Sequence, residues 1–515
     1  MWGHEIFEFW AHRHPEAEMA VHDGVTTTYG DAAARVDRMA GAFARDLAPG
    51  DRFAVLAKNS VDLLLVYLAA FKAGVVPVPL NYRLAPPEWR YIVNDSASRL
   101  LLAESEFVDG VDAIAADLPA LQLKVAWSEQ PAEKWVALSD WLGDPLSSET
   151  SFERRVDDCI QMYTSGTTGR PKGAVLTHQA LHATMSQWGL TLPLRFGERM
   201  LLATPIYHVA GILIGMHILA RGASAWIFTD FDAAEVVRVL DEERIVQTLL
   251  VPAMMQACLA VDGVDDRKFE HLRLFAYGAS PIAEATLRRA LTVFGCEFVQ
   301  SFGMTECNNL TYLWPADHRR ALAGEPGLLL STGRAGPGSA IKIVDDDGND
   351  APPGVVGEIW GRGPQMMRGY WNLPEASADA LAGGWMHTGD AGYIDENGYL
   401  YVKDRVKDMI SSGAENVYPR EVENVLFEHP AVADVAVIGV PSEQWGETVK
   451  AIVVRKAGAT VTDTELIDFC RGQLAGFKRP RSVDFVEEIP RNPSGKVLKR
   501  VLREPYWEGH GRYVG

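Results

Sequence analysis

Residues 163–173 read YTSGTTGRPKG. Three glycines, four Ser/Thr hydroxyls and a lysine fall in this one stretch. The spacing fails the Walker rule G-x-x-x-x-G-K-[ST]. Counting on from Gly166, the second glycine position holds Pro171, and Lys172 is followed by Gly173. The chemistry is still that of a phosphate cradle. Gly166, Gly169 and Gly173 permit positive φ and close backbone approach, so successive N–H groups can form an anion nest. Thr164, Ser165, Thr167 and Thr168 add hydroxyl donors, and Lys172 adds a point charge. CIQMYT (159–164) before the loop is strand-like, and THQALHATMSQW (177–188) after it opens on a helix-capping threonine. The loop is therefore expected between a strand and further α/β structure.

The chain has 515 residues, 47% hydrophobic and 23% charged, which predicts a soluble globular protein of more than one domain. A net charge of −19 argues against general nucleic-acid binding and against docking on anionic lipid. The five cysteines, at 159, 258, 296, 307 and 470, form no C-x-x-C, which argues against a zinc framework and fits a reducing compartment. MWGHEIFEFW lacks the basic and apolar regions of a signal peptide. The longest apolar runs, 63–71 and 208–220, fall short of the ~20 residues needed to span a bilayer. A cytoplasmic protein without a membrane anchor is expected. Oligomeric state is not readable from the residues, and a homodimer is a working guess.

Strand, helix and strand alternate over 53–57, 61–73 and 74–81, with a helix at 31–46 after a turn at Tyr29-Gly30. The alternation recurs from 199 to 251, so parallel α/β layers are predicted. After about residue 340 the texture becomes β-rich, with hairpins at 341–363 and across Asn397-Gly398, the latter a type I′ signal. From 419 the pattern is helix (419–428), strands (432–439, 449–455), helix (462–474), strand (482–486) and a last helix near 498. The expected fold is a large α/β N-terminal domain with layered sheets and a β-rich subdomain, residues 1–404, followed by a small mobile α+β C-terminal domain, 405–515. No Pro/Gly-rich linker separates them, so a short hinge is expected.

Six blocks then carry a resemblance. YTSGTTGRPKG is followed in order by SFGMTE (301–306), GEIWGRGPQMMRGYW (357–371), HTGD (387–390), DRVKDMISSGAENVYPREVE (404–423) and NPSGKVLKR (492–500). Together they closely resemble the signature motifs of the adenylate-forming superfamily, which includes acyl-CoA synthetases, luciferases and the adenylation domains of peptide synthetases.

The resemblance implies roles for single residues. Thr305 would contact the AMP phosphate, and Glu306, which alone reads as a capping or surface carboxylate, would hold Mg²⁺ with Thr164 as a second candidate. Mg²⁺ prefers oxygen ligands, often one or two carboxylates plus substrate phosphates. Gly278, Ala279, Ser280, Phe302, Gly303 and Met304 join Thr305 in the nucleotide-binding set. Phe302 stands where the family often has tyrosine, so a ring for adenine remains without the phenol. Asp390 would accept the ribose hydroxyls, with Arg405 at the same ribose and phosphate. Lys496, in a segment where nine Lys/Arg face three acids between 471 and 503, would bridge the acid carboxylate and the α-phosphate. Lys407 matches the hinge, and Gly413 matches a glycine lining the pantetheine passage that Ala414 narrows. His208, which alone reads as a core histidine, would lie beside the substrate carboxylate. His178 and His182 are spaced i, i+4 but have no third metal ligand in view.

The implied reaction is that of an ATP-dependent acid–CoA ligase. A carboxylate is a poor acyl donor because oxide would have to leave; adenylation supplies AMP as the leaving group, and a thiol then displaces it. ATP, Mg²⁺ and coenzyme A are the implied co-substrates and cofactor. Gly303 stands where acetate-using relatives carry tryptophan, so a larger acid is expected. The walls 208–217 and 277–282 are almost uncharged, which suits an apolar tail. A medium- to long-chain fatty acid leads, an aryl or cinnamic-type acid follows, and loading of a separate carrier protein is the other alternative. No G-x-S-x-G or G-x-G-x-x-G is present, and GRAGPG (333–338) has the wrong spacing.

Overall fold

The computed structural model describes residues 3–129, 131–142, 156–164, 170–280, 282–325, 327–345, 347–405, 408–412, 415–442, 444–471, 473–491 and 497–508. Two α/β sheets form the large domain. In a five-stranded parallel sheet, Val76–Pro79, Arg52–Leu56, Leu100–Glu104, Leu123–Trp127 and Val136–Ala137 lie side by side. A nine-stranded sheet holds Arg199–Leu202, Ile245–Leu250, Leu274–Gly278 and Glu297–Met304 in parallel, then Asn308–Leu313 antiparallel. The two apolar runs become buried helices. Val61–Ala73 buries eleven of its thirteen residues and Val209–Ala220 ten of twelve. They meet at Gly215, where a Cβ would lie 2.5 Å from a Leu64 methyl, so the glycine sets how closely the helices approach. Among the described residues no helix is long and apolar enough to cross a membrane.

Local signals placed most elements correctly, and the differences have physical causes. The helix expected from 31 begins at Tyr29, because the Thr28 hydroxyl accepts the Asp31 N–H and turns Tyr29-Gly30 into the first helical turn. The hairpin across Asn397-Gly398 forms, but only Gly398 has positive φ (82°), so its turn is not type I′. The helix expected to 474 stops at Phe469, and the chain continues in turns closed by Arg471 N–H on Asp468 O and Leu474 N–H on Cys470 O. All five cysteines are free, and burial pushes every thiol pKa upward.

The strand and the Thr177-capped helix expected round the phosphate loop are both present. Asp158–Thr164 and Lys172–Thr177 pair antiparallel, with Gly369–Tyr370 added beside the second strand. The strands on either side of the loop form a hairpin, and the helix His178–Thr191, capped by Thr177, follows the second of them. An ion cluster built on the buried Asp158–Arg52 pair, with Arg368 at its exposed side, anchors the hairpin. The Asp158 carboxylate takes Arg52 Nη2 at 2.6 Å and Arg368 Nη1 at 2.6 Å. Arg52 also donates to Gln161 Oε1 at 3.2 Å and lies 3.6 Å above the Trp371 ring. Burial lowers the Arg52 pKa even though Asp158 opposes that shift.

The β-rich subdomain is a four-stranded antiparallel sheet of Ala340–Val344, Gly357–Arg362, Met386–Ile394 and Leu400–Arg405. The smaller C-terminal domain has its own sheet, built round the long pair Val432–Ser442 and Gly446–Arg455, and its own apolar core. At the junction Lys499 Nζ reaches Asp404 at 3.2 Å and Glu423 at 3.0 Å.

Two outcomes are expected from this packing. Removing one member of a buried pair strands its partner's charge, at about 3–5 kcal/mol. Asp158→Ala should therefore lower the urea unfolding midpoint strongly, and an unchanged midpoint would show that the cluster does not anchor the hairpin. Burial also pulls His208, His217 and His318 down to about 4 and His178 to about 3. The unfolded chain takes up these protons near pH ~6.5 while the folded chain does not, so stability is lost as pH falls from there toward 4. The unfolding temperature should drop between pH 7 and 4.5; a flat profile would contradict the burial of these rings.

Candidate active site

The nine-stranded sheet presents the carboxyl ends of two neighbouring parallel strands, the place where open α/β sheets take ligands. Gly278 pairs with Ser301 there, and a Cβ at 278 would lie 2.3 Å from the Ser301 carbonyl. Ala279 follows with φ +66°, a left-handed conformation that costs a non-glycine residue about 1–2 kcal/mol and recurs at functional sites. Ser280 is half-buried beside it. On the adjacent strand, Phe302 packs on the Ile343–Ile359–Leu400 cluster and Met304 on the main core.

The chain then turns at 305–307, closed by Cys307 N–H on Met304 O at 3.1 Å. Thr305 is half-buried on this turn and Glu306 is buried. Glu306 Oε1 accepts the Thr164 hydroxyl at 3.0 Å and the Tyr370 phenol at 3.0 Å, while the Glu306 carbonyl accepts Met367 N–H at 2.7 Å. Three separated segments meet on one residue. The pair expected to hold Mg²⁺, Thr164 and Glu306, is thus brought into direct contact, as hard oxygen donors that suit this ion. Among the described residues no group of three or more His, Cys, Asp or Glu could hold a metal ion. Tyr370 was missed in the sequence although it lies in a quoted block. Its only signal would have been the pairing of Gly369–Tyr370 with Val175 and Ala174, which no local pattern reveals. Lys172 Nζ lies 5.0 Å from the Tyr370 ring, within cation–π range.

Asp390 lies opposite Arg405 on neighbouring strands of the antiparallel sheet. Gly389 (φ +69°) donates to Glu358 Oε1 at 2.9 Å, and Thr388 donates to Ile359 O at 2.7 Å, which fixes the register irregularity just before Asp390 in the strand Met386–Ile394. His208 caps the helix Val209–Ala220 through its backbone. Its depressed pKa makes it a neutral imidazole at pH 7, able to hydrogen-bond a carboxylate but not to pair with it as a cation. His178 accepts Gly3 N–H at 3.2 Å and meets Phe71 edge-on, whereas His182 is exposed. Ser165, Gly166, Thr167, Thr168, Gly169, Lys407, Gly413 and Lys496 lie outside the described residues.

Gly303 receives a different explanation from the expected one. A Cβ there would fall 1.5 Å from the Asn308 carbonyl, so the glycine is demanded by the next strand's backbone. Its lack of a side chain is therefore no measure of how open an acyl site is.

The family of AMP-binding enzymes matches residues 7–371, and its C-terminal domain matches 421–496. The chain belongs to the AMP-binding enzyme family. Relatives of this AMP-binding enzyme include a fatty acid–acyl-carrier-protein ligase of Streptomyces coeruleorubidus, 40% identical over 98% of this chain and 96% of the relative. A long-chain-fatty-acid–CoA ligase of Mycobacterium tuberculosis is 38% identical, over 94% and 93%. A feruloyl-CoA synthase of Amycolatopsis is 37% identical, over 96% of each. ATP-bound MatB from Rhodopseudomonas palustris superposes with a TM-score of 0.87 at 32% identity, over 98% and 99%. The adenylate-forming fold expected from the six motifs is the one observed.

Beyond Glu306 the AMP-binding enzyme holds a second polar region. Gln187 donates to Pro337 O and Ser339, Gln365 to Ser339 and Asn309 O, and Asn308 to Thr184 and Gln365 O. Among the described residues Gln187 Oε1, Gln365 Oε1, Asn308 Oδ1 and His217 Nδ1 are buried without a hydrogen-bond partner, whereas Asn309, Trp188 and Thr191 face the Tyr312 hydroxyl. Each such group left unsatisfied costs about 1–3 kcal/mol.

If Glu306 is the ion-holding carboxylate, Glu306→Gln should cut adenylation on the order of 100-fold. Tyr370→Phe, which removes one hydrogen bond worth ~1 kcal/mol, should cut it about fivefold and raise the Mg²⁺ concentration for half-maximal rate. Equal effects of the two variants would contradict this ranking.

Proposed function

We propose that the chain is an ATP-dependent carboxylic acid–CoA ligase, converting acid, ATP and CoA to acyl-CoA, AMP and diphosphate through an acyl-adenylate. The convergence of Thr164, Tyr370 and Glu306 on one buried carboxylate oxygen carries this reading. Mg²⁺ held at Thr164 and Glu306 would offset triphosphate charge as diphosphate leaves. Ser165 to Gly169 and Lys172 cradle the phosphates. Gly278 to Ser280 and Phe302 to Thr305 line the nucleotide, and Asp390 with Arg405 takes the ribose. Neutral His208 hydrogen-bonds the acid carboxylate. Lys496 bridges that carboxylate and the α-phosphate, where charge builds in the transition state.

The second step, thiolysis, needs Lys496 withdrawn. We place the domain boundary at 404/405, with Lys407 as hinge and Gly413 along the pantetheine path. The Lys499–Asp404–Glu423 cluster next to that boundary supports a discrete docked pose. The acidic charge and five free thiols support a cytosolic setting. The apolar helix Val209–Ala220 beside His208 supports a medium- to long-chain fatty acid, and an aryl acid is the second reading. The carrier-loading relative supports a carrier thiol as the alternative acceptor.

The test pairs wild type with Lys496→Ala. Wild type should release pyrophosphate and form a CoA thioester with ATP and Mg²⁺. The variant should lose adenylation by ~100-fold or more yet still convert supplied acyl-adenylate and CoA to thioester. Acyl-adenylate without thioester would move the acceptor to a carrier protein, and full adenylation by the variant would overturn the role of Lys496.

A further inference from the structure

We propose that Asp95 and Tyr91 are positioning residues for adenylation, each fixing the strand end that carries one reaction group, Thr164 through Tyr163 and Lys172 through Pro171. The inference rests on the ligase reading and extends it to residues that act through others. Both lie on the helix Pro86–Asp95, outside the six motif blocks. Their i, i+4 spacing puts them on one face, while Trp89, Ile92 and Val93 are buried. The Tyr91 hydroxyl donates to Pro171 O at 3.1 Å, and Asp95 Oδ2 accepts the Tyr163 hydroxyl at 2.6 Å. One helix thus holds both sides of the hairpin, one residue away from the paired Thr164 and Lys172.

Successive side chains of a strand leave on opposite faces. Tyr163 reaches the Asp95 carboxylate on one face, and Thr164 reaches the Glu306 carboxylate at 3.0 Å on the other. Two carboxylates therefore hold this strand end, and removing the first leaves Thr164 free to shift against the second. Across the hairpin, Lys172 Nζ lies 5.0 Å from the Tyr370 ring. Tyr91 holds the residue before it, with the Arg170 guanidinium 5.8 Å from the Tyr91 ring, within cation–π reach.

Helix stability does not account for Asp95. It is the last residue of its helix, where the dipole disfavours negative charge, so the helix alone would be better off without it. Nor is Tyr163 a plain packing residue. Its hydroxyl also accepts Gln161 Nε2 at 3.0 Å, Gln161 Oε1 accepts Arg52 Nε at 3.2 Å, and Arg52 pairs with Asp158. A Cβ at Gly173 would lie 3.0 Å from Tyr163 Cζ, so the glycine yields the room that the phenol occupies. A chain of polar contacts thus runs from the hairpin's anchor to the residue before Thr164, and Asp95 closes its far end.

The experiment uses the full chain with decanoate, palmitate and cinnamate as acids. Adenylation is read as pyrophosphate release, and thiolysis as thioester formed from supplied acyl-adenylate and CoA. Wild type, Asp95→Ala, Asp95→Asn, Tyr163→Phe and Tyr91→Phe are compared, with thermal melts to identify folded variants. Asp95→Ala and Tyr163→Phe should each lower kcat for adenylation about fivefold with thiolysis unchanged. Combining them should cost no more than either alone, because both break one contact. Asp95→Asn, whose amide oxygen still accepts the phenol, should keep about half or more of the wild-type rate. Tyr91→Phe should raise the KM for ATP about fivefold and leave kcat in place. Wild-type adenylation in Asp95→Ala, an equal fall in adenylation and thiolysis, or no rescue by Asp95→Asn overturns the role of Asp95 and leaves its contact as hairpin packing. If Asp95→Ala does not fold, Tyr163→Phe decides by the same criteria. An unchanged KM for ATP in Tyr91→Phe overturns the role of Tyr91. Absence of pyrophosphate from wild type with every acid counts against the ligase reading alone. Calorimetric titration with Mg-ATP then decides this inference: binding that weakens in Asp95→Ala and returns in Asp95→Asn supports it, and equal or absent binding overturns it.

Discussion

The Glu306 carboxylate is the point on which the candidate site depends. It ties the end of the phosphate-loop strand, the turn between two strands of the large sheet, and the short strand at 369–370. A carboxylate can act this way because its oxygens accept several hydrogen bonds at once, and burial strengthens each one electrostatically. The Met367 N–H on the Glu306 carbonyl adds a backbone constraint to the same residue. Position and chemistry are thus set by one group.

Below it, the hairpin carrying the loop is held by a different kind of contact. Asp158 is shared by two arginines from distant segments, and the Trp371 ring covers one of them. Such a cluster adds little net stability compared with apolar packing, but it penalises any arrangement that separates its members. It keeps Thr164 and Lys172, the paired strand ends on either side of the loop, in fixed register.

Much of the architecture was legible from local signals, because caps and periodicity are short-range. Thr28, Ser60, Thr177 and Asp232 each cap the helix that follows. Thr164 and Glu306 were legible as partners only through the resemblance of their motifs. What stayed hidden depends on contacts between distant residues. Tyr370 becomes a site residue through pairing with a strand almost two hundred positions earlier. The need for Gly303 comes from the carbonyl of Asn308, and a missing side chain reads the same whether it opens space or yields it to backbone. The burial of Thr184, Gln187 and Thr191 on His178–Thr191 depends on what packs against the helix, which spacing alone does not state.

The separations within the Glu306 cluster also set an order of events during synthesis. Thr164 precedes Glu306 by 142 residues, and Tyr370 follows it by 64. At the ribosome's pace of about 5–20 residues per second, roughly 10–40 s pass between emergence of the first and the last of these side chains. Through that interval the nascent chain presents a phosphate loop whose carboxylate partner is incomplete. The hydrogen-bonded cluster can therefore close only once the third segment has emerged, late in synthesis of the large domain.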